Sequence, residues 1–153
     1  MSIKINYLNK FANNPPTNLI LFVDENFNIN GLKKTISSIE FSYISDLLKT
    51  SDLRKRILFF KINSKKTIFL ISIKKEIKIS DIENLGAKFN SYINYDKKKE
   101  YFVNSDTINN KIKNFVGYFL HGLKLKSYEF NIYKSNKNKK IVSINVIGKN
   151  NKL

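Results

Sequence analysis

The sequence contains no cysteine, which excludes disulfide scaffolds, thiolate zinc sites and cysteine nucleophiles. Its single histidine, His121, excludes a metal centre built from clustered imidazoles. No apolar run approaches the roughly 20 residues that span a bilayer, so no membrane partner is expected. The opening residues Met1, Ser2, Ile3 and Lys4 lack the apolar stretch of a secretion signal, and a cytoplasmic location is the default expectation. A length of 153 residues allows one ordinary domain. A domain of that size buries roughly 68–70% of its unfolded surface, enough for a core without covalent staples. Hydrophobic residues at 42% and charged residues at 26% are globular values and exclude disorder for most of the chain.

Acidic residues are also scarce. Twelve Asp and Glu face 28 Lys and Arg, a formal net charge of +16. Such an excess is the electrostatic footprint of a nucleic-acid or membrane-surface binder. Only Arg54 and Arg56 are arginines, however, and Lys, Asn and Ile together are the residues of AT-rich codons, so mutational bias accounts for much of the lysine. The cations are spread along the chain apart from Lys97–Lys99 and the 134–140 stretch. Dispersed charge is usually a solvated surface.

Residues 2–7 alternate polar and apolar, as a half-buried strand does. Asn13, Asn14, Pro15, Pro16 and Thr17 break the chain into a loop. Leu19–Val23 is a short continuous apolar run, the mark of a strand covered on both faces. From Gly31 to Thr50 the spacing of Leu32, Ile36, Ile39, Tyr43 and Leu47 predicts one amphipathic helix. Residues 56–62 and 67–73 are separated by only four residues, so they pair as an antiparallel hairpin. Ser80 and Glu83 fit a capping box, with Ile82, Leu85, Phe89 and Ile93 forming the stripe of the helix that follows. Residues 100–104 predict a short strand. Ser105 or Asp106 caps a third helix with the stripe Ile108, Ile112, Phe115, Phe119 and Leu123, ending near Lys126. A last strand alternates through Ile147. The order β-β-α-β-β-α-β-α-β predicts an α/β fold: a three-layer α/β/α domain with a mixed sheet.

A catalytic constellation is hard to assemble. There is no glycine-rich phosphate loop and no nucleophile elbow. His121, expected in the last turn of the third helix, suits hydrogen bonds to terminal carbonyls. Asp24 and Glu25 lie just beyond a buried strand, where α/β crevices form, but adjacent residues at a strand end point apart, which suits a turn better than a metal. Asp81 is explained by helix capping, and Asp46 and Asp52 by solvated helix ends. The most distinctive segment interleaves Tyr118, Phe119, Tyr128, Phe130 and Tyr133 with Lys124, Lys126, Lys134, Lys137, Lys139 and Lys140. Such a segment either stacks bases and contacts phosphates or anchors its aromatics on the core with its lysines in water.

That segment resembles the N-terminal domain of the leucyl (cytosol) aminopeptidase family. There a helix closes with glycine, followed by leucine, a basic residue, serine, Tyr-x-Phe and, two residues on, tyrosine with a basic residue. Gly122, Leu125, Lys126, Ser127, Tyr128, Phe130, Tyr133 and Lys134 match in order and spacing. Residues 43–49 and 52–55 are similar to that family's first helix and its exit into the hairpin. The departure lies after the fourth strand: the family commonly has glycines there, and this chain has Ile73, Lys74 and Lys75.

The resemblance implies a macro-domain-like fold over residues 1–148, with 149–153 beginning a linker to an absent catalytic domain. It implies that residues 1–153 alone are not an enzyme. Catalysis would belong to the parent's C-terminal domain, where two divalent metals, Mn or Zn, activate water against the N-terminal peptide bond. It also implies a homo-hexamer and, as in some family members, weak DNA binding. The macro-like fold further implies a nucleotide or ADP-ribose pocket, against which the missing glycines argue.

Overall fold

The structure, a computed structural model, describes residues 2–8, 18–93, 100–109, 112–133 and 141–148. Six strands form one mixed sheet in the order β1-β6-β5-β2-β4-β3. These are β1 Ser2–Leu8, β2 Asn18–Asp24, β3 Ile57–Lys61, β4 Thr67–Ile73, β5 Glu100–Asn104 and β6 Ile141–Ile147. All neighbours run parallel except β3, which pairs antiparallel with β4 as the short loop between them requires. The helices are α1 Ser38–Leu48, α2 Ile79–Phe89 and α3 Phe115–Tyr133. The element order and the three layers agree with the sequence pattern.

Residues Asn18–Val23 of β2 are all buried because helices cover both sides of the sheet. One core, between the sheet and α2 and α3, gathers Ile20, Phe22, Phe69, Phe89, Phe119 and Val146. The other holds Leu19, Leu21, Ile44, Ile68 and Leu70 beneath α1.

Three helix starts differ from the periodicity. The first helix begins at Ser38, not Gly31. Ser37, in extended backbone, accepts from the Glu40 N–H at 3.1 Å, and the Glu40 carboxylate accepts from the Ser37 N–H at 2.9 Å. This reciprocal cap fixes the start. Leu32 and Ile36 reach the core from the preceding turns, while Ile39, counted in the stripe, is 81% exposed. The second helix is capped two residues early: Asp81 accepts from the Lys78 N–H at 3.1 Å, so Ser80 and Glu83 form no box. The third helix starts at Phe115, after Asn114 takes a left-handed φ of 60°, and runs on to Tyr133. Ser105–Thr107 is a separate 3-10 turn capped by the Asn104 side chain.

Glu40 also ties α1 to the hairpin. Its carboxylate meets the Lys66 ammonium at 2.7 Å, with side chains only 12% and 21% exposed. Burial pushes this carboxyl up, but Lys66 and the Ser37 cap outweigh it and hold it below its ordinary value of 4.5. A depressed carboxyl stabilises the fold above its unfolded value, and the contribution is lost as pH falls through the folded one. Replacing Glu40 by Ala removes cap and ion pair together and costs about 2 kcal/mol at neutral pH. Urea unfolding at pH 7 and at pH 3 checks this: the loss is expected to shrink at the lower pH, and a loss of equal size at both would refute the assignment.

Candidate functional site

The strand order determines where a crevice opens. From β2 the chain passes through α1 toward β3 and β4 on one side, and from β5 it passes through α3 to β6 on the other. The connections therefore diverge between β2 and β5, the arrangement in which open α/β sheets form a crevice beyond the strands' carboxyl ends. The β2–β5 ladder pairs Leu19 with Phe102 and Ile20 with Val103. Two residues further on, the Phe22 N–H donates instead to Thr107 Oγ1 at 3.0 Å, and that hydroxyl donates to the Asn104 carbonyl at 2.7 Å. The strands separate at this point.

The resulting crevice has a volume of about 910 Å³. Phe22, Val23, Leu32 and Ile73 are the apolar residues of its lining, and Asn26, Asn28, Asn30, Thr107 and Asn109 are the uncharged polar ones. Its lining includes four acidic residues, Asp24, Glu25, Glu76 and Asp106, and two basic ones, Lys74 and Lys75. The crevice is thus acidic on a chain whose net charge is +16. A pyrophosphate would meet mainly like charge, and an uncharged polar ligand suits the lining better.

Asp24 performs the turn-forming role expected of it: its Oδ1 accepts from the N–H groups of Asn26 at 3.0 Å and Asn28 at 2.9 Å. Phe27, between them, takes a left-handed φ of 55°. Beyond β4, Lys74 and Lys75 turn without a positive φ, so the glycines of the aminopeptidase pattern are not required for this exit.

The motif of the third helix is dispersed rather than gathered into one site. Gly122 does not close the helix; it lies within α3, buried. A Cβ there would stand 1.9 Å from the Glu83 carbonyl oxygen, and one on Gly86 would stand 1.9 Å from that of Phe119. These glycines let α2 and α3 touch backbone to backbone. His121 is likewise in mid-helix rather than in a final turn, and its Nδ1 meets the Glu83 carboxylate across the helix pair. Ser127 is buried and donates to the Lys124 carbonyl at 2.7 Å. Leu125 and Tyr128 are exposed on α3, with Lys124 and Lys126 beside them. The side chains of Phe130 and Tyr133, the cations Lys134, Lys137, Lys139 and Lys140, the loop at 13–17 and the linker at 149–153 lie outside the described residues.

Sequence reasoning missed Thr107 and Asn104 as crevice-shaping groups. Their signal was position, at and just beyond the end of the strand at 100–104. Among the described residues, no three His, Cys, Asp or Glu side chains gather where they could hold a metal ion. Among the same residues, no helix is long and apolar enough to cross a membrane.

Known structures share this architecture. A lysine-to-glutamate mutant of tomato leucine aminopeptidase aligns with a TM-score of 0.64 at 14% identity, over 96% of this chain and 32% of its own. The macrodomain of Thermus aquaticus DarG aligns with a TM-score of 0.60 at 10% identity, over 96% of this chain and 99% of its own. At such identities the likeness establishes the fold. The chain spans about a third of the aminopeptidase's length. No family model matches the sequence, and no curated protein matches it by sequence.

Proposed function

We propose that this chain is the accessory, non-catalytic domain of a leucyl aminopeptidase-like metallopeptidase, corresponding to that protein's N-terminal region. The observation that carries the reading is the alignment over 96% of this chain with only 32% of the aminopeptidase. The ordered match from Gly122 to Lys134 favours an aminopeptidase parent over a free-standing macrodomain. On this reading the chain packs against a separate catalytic domain, which holds two divalent metals and removes N-terminal amino acids, and it supports a hexameric assembly. On this reading hydrolysis belongs to the catalytic domain, and among the described residues no three His, Cys, Asp or Glu side chains gather to offer a metal site in its place.

Two measurements test the proposal. The purified chain, incubated with manganese or zinc and leucine p-nitroanilide, is expected to release no nitroaniline above buffer; turnover overturns the reading. The coding frame beyond Leu153 is expected to continue into a metallopeptidase domain. A stop codon there, with no peptidase encoded elsewhere in the genome, also overturns it.

A further inference from the structure

We infer that Asn30 is a self-modification site: its side chain cyclises onto the Gly31 backbone nitrogen, and the crevice gains an aspartyl or isoaspartyl carboxylate. Four asparagines of the chain precede a glycine or a serine: Asn30 before Gly31, and Asn63, Asn90 and Asn104 before Ser64, Ser91 and Ser105. The successor matters because its backbone nitrogen is the nucleophile, and glycine, with no Cβ, lets another group approach its backbone closely. Asn90 and Asn104 are buried. The side-chain oxygens of Asn63 and Asn104 are held by the N–H groups of Lys65 at 2.8 Å and Asp106 at 3.0 Å. Asn30 is exposed. Its own N–H donates to Asn28 Oδ1 at 3.0 Å, while its side-chain amide has no partner among the described residues.

The nucleophile is open as well. Asn30–Leu32 is a single 3-10 turn, and the Leu32 N–H closes it on the Ile29 carbonyl at 2.9 Å. Gly31 lies inside that bond, in a first turn, where N–H groups have no helical carbonyl behind them. Among the described residues its N–H is unpaired. A Cβ built on Gly31 would meet nothing within 4 Å, so the space beside it is empty. A single exposed turn opens locally at little cost, which gives the side chain its approach. The step needs only this chain and water. The Gly31 nitrogen loses its proton and bonds to the Asn30 Cγ, the side-chain nitrogen leaves as ammonia, and a cyclic imide forms. Water then opens either imide carbonyl, to aspartate or to isoaspartate. Asn30 lines the crevice with Asp24, Glu25, Glu76 and Asp106, so conversion adds to its acidity and disfavours anions further. The isoaspartyl product also lengthens the main chain between Ile29 and Leu32, both buried, and strains their fit in the core. None of this depends on which parent protein the chain has.

The test incubates the whole folded chain at neutral and at mildly alkaline pH. Fragment-ion mass spectrometry then maps which asparagine has exchanged its amide for an acid, and whether the product is isoaspartyl. Asn30 is expected to convert before any other asparagine, faster at the higher pH because the nitrogen must lose its proton, with isoaspartate among the products. Gly31→Ala fits the empty space and meets no left-handed φ, so it is expected to fold normally and to slow the conversion several-fold. The converted chain is expected to unfold at lower urea than Asn30→Asp, which carries the same charge on an unaltered main chain. No conversion at Asn30, another asparagine converting first, aspartate forming without isoaspartate, a rate unmoved by Gly31→Ala, or equal urea midpoints for the isoaspartyl chain and Asn30→Asp would each overturn the inference.

Discussion

Gly122→Ala is expected to destabilise the protein by about 3 kcal/mol, although alanine is the better helix former by roughly 1 kcal/mol. The reason is the close approach of α2 and α3. A methyl on Gly122 would lie 1.9 Å from the Glu83 carbonyl oxygen and 2.8 Å from the Glu83 Cα, atoms that cannot rotate away. The helices would have to part, and the buried rings of Phe89 and Phe119 between them and the sheet would lose contact. Gly86→Ala repeats the collision from the other side, against the Phe119 carbonyl. The two glycines share one crossing, so the double variant is expected to lose less than the sum of the singles. Gly117→Ala is the control on the same helix: its nearest neighbours belong to the Asn114 side chain, which can swing aside. It is expected to stay within about 0.5 kcal/mol of the parent. Urea midpoints decide the matter, and a Gly122→Ala midpoint equal to that of Gly117→Ala would show that the helices are not held by this contact.

That crossing also marks what could be read from the sequence. The buried run of β2, the hairpin of β3 and β4, and the stripe Ile82, Leu85, Phe89 and Ile93 were legible because each depends on spacing within one short segment. The family pattern makes Gly122 the close of a helix, although the apolar stripe itself runs past it to near Lys126. Its actual use, against Glu83 on a helix some 40 residues earlier in the chain, needs two helices to be placed side by side. A signal existed: Gly86 and Gly122 both interrupt helical stripes, and isolated glycine there commonly has a packing reason. The start of α1 was missed differently. Ser37 and Glu40 spell a capping box, but Leu32 and Ile36 continue the apparent stripe across it. Both residues reach the core from turns, and Ile39 is left in water. Of the crevice, local pattern showed one wall: Asp24 and Glu25 lie just beyond a buried strand, where such crevices form. Its other wall depends on β5 returning beside β2, and no residue between 24 and 107 announces that order.

The aromatic cluster beneath that crossing sets the second large effect. Phe89 is fully buried at the end of α2. Its ring meets Phe69 of β4 edge-on at 5.2 Å and Tyr101 of β5 edge-on at 6.2 Å. It also contacts Phe119 of α3 at 6.0 Å and stacks on Tyr92 at 6.2 Å. One ring therefore joins two strands and two helices, and edge-to-face pairs add about 0.5–1.5 kcal/mol each beyond burial. Phe89→Ala is expected to cost about 4 kcal/mol, a large share of the roughly 5–15 kcal/mol that holds such a domain folded. Phe89→Leu keeps most of the volume and loses the ring geometry, so about 1.5 kcal/mol is expected. Because α3 rests on this ring, the alanine variant should also loosen the helix that carries His121, Leu125 and Tyr128, and hydrogen exchange along α3 should rise more than along α1, which packs on the other face of the sheet. A loss under about 1 kcal/mol for Phe89→Ala, or equal exchange in the two helices, would mean that the two cores do not divide the fold in the way the packing indicates.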